Sequence, residues 1–242
     1  MSEPLTLVLA SLAVFVAAFL QGVTGFGHAL IAIGFLSALF GPKEAVLVLT
    51  LIAPVIAVAY FLKMRREVDW REVACVSLPL CLIGLPLGIW LFDVIEPDHL
   101  GRAVGALLIV SAGYFLSPWA PRPRKLPYWI CIVASSLAGF LAGLASTGGP
   151  PMVLYLYAKE MDKRVRIAVI QGVFVIGSTI KVLQVAAVGM FTTESLVHAA
   201  WMTPPIVAGV LLGAKLMPRI PADLLRKAAL VLLLVIGVVM VF

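Results

Sequence analysis

Apolar residues fill this chain in long blocks, and the charges fall in short clusters between them. Runs free of Asp, Glu, Lys and Arg cover 4–42, 45–62, 73–92, 103–121, 126–158, 182–193 and 195–214, and 167–193 carries Lys181 alone. A helix needs about 20 apolar residues to cross the hydrocarbon of a bilayer, and several of these runs reach that length. The pattern predicts transmembrane helices over 44–62, 73–92, 100–117, 167–190, 195–215 and 223–242. Two stretches are too long for one crossing and are interrupted by glycine, serine, threonine and proline. They are predicted as broken or re-entrant helical hairpins, 4–42 bent at "GVTGFG" and 128–158 bent at "STGGPP".

Composition closes off the soluble alternatives. Of 242 residues, 62% are hydrophobic and 12% charged, too few polar groups to clothe a soluble domain. The chain reads as an all-α polytopic membrane protein. Its first residues lack a basic stretch and carry Glu3, so no cleavable signal peptide is expected. Cys75, Cys81 and Cys131 lie in apolar runs and read as buried thiols. The net charge of +6 invites nucleic acid as a partner, but the basic residues sit at segment ends, as on the cytoplasmic face of a membrane protein. The expected partners are therefore the lipid bilayer and a small solute; no nucleic acid, cofactor or metal is expected.

The charges also orient the chain. Lys and Arg concentrate in loops 63–72, 118–127, 159–166 and 215–227, leaving only Lys43, Arg102 and Lys181 elsewhere. The excess of cations places these loops in the cytoplasm and the loops around 93–102 and 191–194 outside. Both loops flanking 128–158 are then inside, so that hairpin enters and leaves through one face. With Lys43 outside, 4–42 is a hairpin from the other face.

The two halves match. Phe19-Leu20-x-Gly22 recurs as Phe140-Leu141-x-Gly143, an offset that also pairs Gly27 with Gly148. Pro79-x4-Gly84-x3-Gly88 recurs as Pro204-x4-Gly209-x3-Gly213, and Pro97-x-x-Leu100-x-Arg102 as Pro221-x-x-Leu224-x-Arg226. Three matches in one order imply a repeat: 1–117 as the first copy, 118–127 as a Pro-rich cytoplasmic linker and 128–242 as the second. Each copy is a hairpin followed by three crossings. Three is odd, so the second copy is expected to be inverted, as in secondary transporters that bind substrate near the midplane at interrupted helices.

Irregular backbone at membrane depth is tolerated only where protein or a water-filled cavity covers it. Pro150 and Pro151 suit the first turn of a helix, and Ser146 or Thr147 is placed to cap it. The arm beginning near 150 would then present free N–H groups and the positive end of its dipole. Gly25 and Gly27, with Phe26 between them and Thr24 as a cap, allow the same at the first bend. Two such helix starts make an anion site. Gly148 and Gly149 would let the backbone approach the ligand, although glycines at such places also serve helix packing. Lys181 shares a broad polar face with Gln171, Ser178 and Gln184 at helical spacing. An ionisable residue at that depth is costly and suggests function; the alternative is an ammonium that snorkels to the outer surface. Gln21 and His28 flank the first bend, and His28 is a candidate proton carrier as well as a candidate packed neutral ring. His99 and His198 read as interfacial, and Trp90, Trp119 and Trp129 as membrane anchors.

Over essentially its whole length the chain resembles the TauE/SafE family of anion permeases. The likeness rests on "QGVTGFGHALIAIGF", on the basic loop "KMRREVDWR" and on "STGGPPMVLYL". It implies a multi-pass transporter of the bacterial inner membrane that moves sulfite or a small organosulfonate. A membrane potential negative inside favours outward movement of an anion by about 2.3 kcal/mol per charge per 100 mV, so export needs no coupling ion. Proton-coupled uptake of an organic anion is the alternative. An intramembrane enzyme using Ser146 lacks a motif that pairs that serine with a histidine.

The loop charges generate a direct test of topology. A single cysteine introduced at position 123 should react with a membrane-impermeant maleimide only from the cytoplasmic side. Ready labelling of intact cells from the periplasm would reverse the orientation.

Overall fold

A computed structural model of the protein describes residues 3–24, 27–116, 126–216 and scattered helical positions beyond 230. Its elements are α1 (Glu3–Thr24), α2 (His28–Phe40), α3 (Pro42–Met64), a 3₁₀ turn (Arg65–Glu67), α4 (Trp70–Pro79), a π-helical turn (Leu80–Gly84), α5 (Leu85–Val94), α6 (Pro97–Leu116), α7 (Tyr128–Ala145), α8 (Gly149–Ala158), α9 (Lys163–Ala187) and α10 (Thr193–Leu216). The all-helical architecture answers the need to satisfy every backbone group within hydrocarbon. Among the described residues six helical stretches are long and apolar enough to cross a membrane: Leu5–Gly22, Pro42–Ala59, Trp70–Val94, Tyr128–Ala145, Lys163–Ala187 and Thr193–Gly213. The helix expected over 100–117 is present as α6. Of the one expected over 223–242 only scattered helical positions beyond 230 are described, and most of the linker 118–127 lies outside the described residues.

Both hairpins break where glycine, serine and proline interrupt the apolar pattern. The returning arm of the second, α8, has 10 residues and rises about 15 Å, half the thickness of a bilayer core. The loops that follow are closed by acidic caps: Asp69 accepts from the backbone N–H groups of Arg71 and Glu72 at the start of α4, and Asp162 accepts from Arg164 at the start of α9.

The helices form two compact units that draw on both halves of the sequence. One comprises Met1–Ile56, Ile95–Trp119 and Phe191–Phe242, the other Ala57–Val94 and Ala120–Met190. In the first unit α1 lies along α10. A Cβ on Gly209 would stand 2.5 Å from the Phe15 carbonyl oxygen, and one on Gly213 would stand 2.2 Å from that of Phe19 and 3.1 Å from the Cα of Gly22. In the second unit α7 lies along α5 and the π-turn. There a Cβ on Gly84 would stand 2.2 Å from the Ser136 carbonyl oxygen, and one on Gly88 would stand 2.2 Å from that of Phe140 and 2.9 Å from the Cα of Gly143. Residue numbers rise together along both seams, so each pair of helices runs parallel. Lipid supplies no hydrophobic drive between helices, and such bare-backbone crossings gain van der Waals contact instead.

Proline shapes the second unit further. Pro79 lacks an N–H and cannot pair with the carbonyl four residues back. That carbonyl, Cys75, accepts instead from the Cys131 thiol at 3.6 Å. The π-turn that follows leaves the Cys81 carbonyl to accept from Gln184 Nε2 at 3.4 Å. Gln184, expected on the polar face of Lys181, is thereby used in packing.

The seams set the first stability test. Gly88→Ala and Gly213→Ala force a methyl group into backbone, and each should destabilise the protein by about 1–3 kcal/mol or prevent its accumulation. Gly113→Ala, at a position with no neighbour within 4 Å, should leave the melting temperature in detergent unchanged. Equal melting of all three would mean that the seams are slack.

Candidate functional site

The second bend is built from the end of α7. Ser146 ends that helix in the left-handed region, with φ 57°, an unusual place for a residue bearing a Cβ. Its N–H donates to the Ala142 carbonyl, and that of Thr147 to Leu141, so the last carbonyls of α7 are paired, the Ser146 bond being the one made in an αL helix ending. Gly148 follows as the N-cap of α8, and Gly149, Pro150 and Pro151 form its first turn. No side chain caps this helix, which corrects the expectation for Ser146 and Thr147. The physical reason is local: a capping oxygen pairs with the N–H of the second or third helical residue, and both are prolines. The prolines also remove two of the free donors expected there. What remains of the helix start is its dipole and the glycine N–H groups.

Neither hydroxyl therefore caps α8. Lys181 of α9, only 4% exposed, donates from Nζ to Ser146 Oγ at 2.7 Å. It does not snorkel outward. Among the described residues no carboxylate lies within ion-pair distance of it. Thr147, 1% exposed, has a hydroxyl with no hydrogen-bond partner among the described residues. The bend therefore collects a buried lysine amine, a serine in the left-handed region, an unanswered hydroxyl and a helix start.

The other residues on the face of α9 divide. Ser178 turns its hydroxyl onto its own helix, donating to the carbonyls of Phe174 and Val175. Gln171 is fully buried but lies ten residues before Lys181, about 15 Å along the axis. Its neighbour Gly172 approaches Val73 of α4. Phe174, which the sequence reading passed over, is the residue nearest a Cβ built on Gly149, at 4.0 Å. It gives the start of α8 an apolar wall. Its helical spacing from Gln171, Ser178 and Lys181 places it on their face of α9, a signal that polarity alone does not carry.

At the first bend, Thr24 is the last residue of α1, and the N-cap of α2 is Gly27, with φ 100° and no side-chain cap. Gly25 and Phe26 lie outside the described residues. Gln21 and His28 are buried, and Gln21 Oε1 and His28 Nε2 find no partner among the described residues. His99 is exposed beside Glu96, as expected of an interfacial residue. His198 is not simply interfacial: Nδ1 lies 3.0 Å from Glu44 Oε1, and its ring stacks on Phe40 with centroids 4.4 Å apart.

Interrupted helices that bury polar groups and a cation define a multi-pass membrane protein built to handle a solute. Comparison with known proteins makes this specific. The family model described as "Sulfite exporter TauE/SafE" matches residues 10–240, and the chain belongs to that family. It is 27% identical over 228 residues, 90% of this chain and 87% of the relative, to the "Probable sulfite/organosulfonate exporter TauE" of Cupriavidus necator. It is 27% identical over 174 residues, 71% of this chain and 72% of the relative, to the "Probable inner membrane transporter protein TsaS" of Comamonas testosteroni. No solved structure matches the chain. The protein is a membrane transporter of this family and not an enzyme.

The two glycines of the bend should separate packing from binding. A Cβ on Gly148 would stand 2.3 Å from the Ala138 carbonyl oxygen, so Gly148→Ala is expected to destabilise the fold by about 1–3 kcal/mol. Gly149→Ala has room and should fold normally, yet weaken anion affinity by about 1 kcal/mol as its methyl group crowds the helix start. Normal affinity in a stable Gly149→Ala protein would remove the helix start from the binding site.

Proposed function

We propose that the protein is a secondary transporter that moves sulfite or a small organosulfonate out across the bacterial inner membrane, holding the anion at the second bend. The observation that carries this reading is Lys181, a buried ammonium held by a neutral hydroxyl beside the positive end of α8. Cation and helix start repel one another. A buried charge without a counter-ion is strongly unfavourable, and an oxyanion relieves both. Lys181 Nζ, Ser146 Oγ, Thr147 Oγ1 and the glycine N–H groups supply its donors, and Phe174 accommodates a carbon substituent if the substrate carries one. The substrate class rests on the likeness to the Cupriavidus exporter.

The first bend offers a second helix start with its own buried polar groups, Gln21 and His28, and the same reading assigns it to anion binding. The helix seams favour two repeats. In each unit a Pro-x4-Gly-x3-Gly helix from one half lies parallel to the Phe-Leu-x-Gly arm of the other half, as the matched motifs require. Inversion of the second copy follows from the odd number of crossings per repeat. Outward movement follows from the potential, which favours anion export by about 2.3 kcal/mol per charge per 100 mV; protons are required only if transport runs inward.

Three substitutions at Lys181 test the site. Lys181→Met keeps much of the stem and removes the charge, and should weaken sulfite affinity by roughly 1–3 kcal/mol. Lys181→Arg should keep partial transport, since the charge stays and the donor geometry changes. Lys181→Glu should be worst, placing like charge beside the substrate. Flux into proteoliposomes and melting temperature are measured together, with sulfate, thiosulfate and sulfoacetate as competitors. Parent-like transport by Lys181→Met would show that the cation is an anchor and not a ligand.

A further inference from the structure

A second buried polar cluster lies at the far end of α8. Glu72, in the first turn of α4, is only 7% exposed. Its Oε1 accepts from the Tyr155 hydroxyl at 3.1 Å, and its Oε2 accepts from Lys159 Nζ. Tyr155 belongs to α8, and Lys159 is the residue directly after it. Arg166 braces the following loop by donating to the carbonyls of Lys159 and Met161. Arg164 adds an exposed pair to Glu67. One carboxylate on α4 thus holds the end of a single short helix whose other end is the bend with Ser146, Gly149 and the Lys181 contact.

The geometry points to Glu72 as a positioning residue for the anion site, a latch that fixes α8 from the end the loop charges assign to the cytoplasm. A ten-residue helix is stiff, so release at Lys159 moves the bend as well. The two partners differ in how they let go. Tyr155 is buried and stays with the helix face, whereas the Lys159 side chain is 29% exposed and can exchange its carboxylate for water or for an arriving anion. Breaking a buried pair on one side leaves an uncompensated carboxylate, so the closed arrangement is strongly preferred until a competing oxyanion engages Lys159. This latch rests on the transport reading above, because it acts on the same bend.

The protein carries its own reporter. Cys131 is fully buried, and its thiol donates to the Cys75 carbonyl beside Tyr155. In a Cys75→Ser, Cys81→Ser background, Cys131 is alkylated with a membrane-impermeant maleimide from the cytoplasmic side, and sulfite flux is measured in proteoliposomes. Glu72→Gln, Lys159→Gln and Lys159→Arg are compared with the parent. Glu72→Gln and Lys159→Gln should speed labelling about tenfold and raise the half-saturating sulfite concentration severalfold, and sulfite should slow their labelling again. Lys159→Arg should restore parent values. Should Glu72→Gln fail to fold, Lys159→Gln, altered at a partly exposed side chain, decides alone. A merely structural contact would lower protein yield and leave half-saturation and the sulfite effect on labelling where they were, and that result overturns the latch while transport stands. A parent that moves no sulfur oxyanion overturns the transport reading, and the latch with it.

Discussion

In hydrocarbon a peptide N–H or C=O has no water to turn to, and each one left without a partner costs several kcal/mol. A chain that interrupts its helices inside the membrane must therefore answer for every group it frees. At the second bend the answer is built into the sequence. The left-handed turn at Ser146 closes the last carbonyls of α7, and two successive prolines remove donors that would otherwise stand open at the start of α8. Around Pro79 the answer comes from neighbours: the freed Cys75 carbonyl takes the Cys131 thiol, and the Cys81 carbonyl released by the π-turn takes Gln184. The irregular segments persist because their backbones are paired.

The same economy explains the seams. With no water to expel between helices in lipid, closeness of contact decides which helices meet. Gly84 and Gly88 bring one backbone against the carbonyls of Ser136 and Phe140, and Gly209 and Gly213 do the same with Phe15 and Phe19. Each seam joins helices from opposite halves of the chain. The compact units consequently differ from the two halves of the chain, since a half is a matter of order along the sequence and a unit is a matter of contact.

Charge is handled in two contrasting ways within the second unit. Glu72 and Lys159 neutralise one another at one end of α8, with Tyr155 filling a further lone pair of the carboxylate. Lys181, at the other end, has a hydroxyl for company and no carboxylate among the described residues. The two buried side chains thus differ in their surroundings: one is met by an opposite charge, the other by a neutral hydroxyl.

The sequence by itself determined what depends on neighbouring residues along the chain. Runs of apolar residues placed the long apolar helices, and glycine with its polar neighbours placed the breaks between them, because hydropathy and backbone restriction are local properties. It also marked Lys181, since an ammonium in an apolar run is conspicuous without any partner. Only the tertiary structure decided who meets whom. The contact of Lys181 with Ser146 spans 35 positions and that of Lys159 with Glu72 spans 87, and no periodicity announces either. Glu72 passed as one more charge at a segment end until α8 was seen to bury it. The expected caps, Ser146 and Thr147, do not cap α8 for a reason written in the two prolines that follow the glycines, yet the partner of the Ser146 hydroxyl lies on another helix. Neutralising a charge and closing a seam are properties of pairs, and folding alone brings the second member into reach.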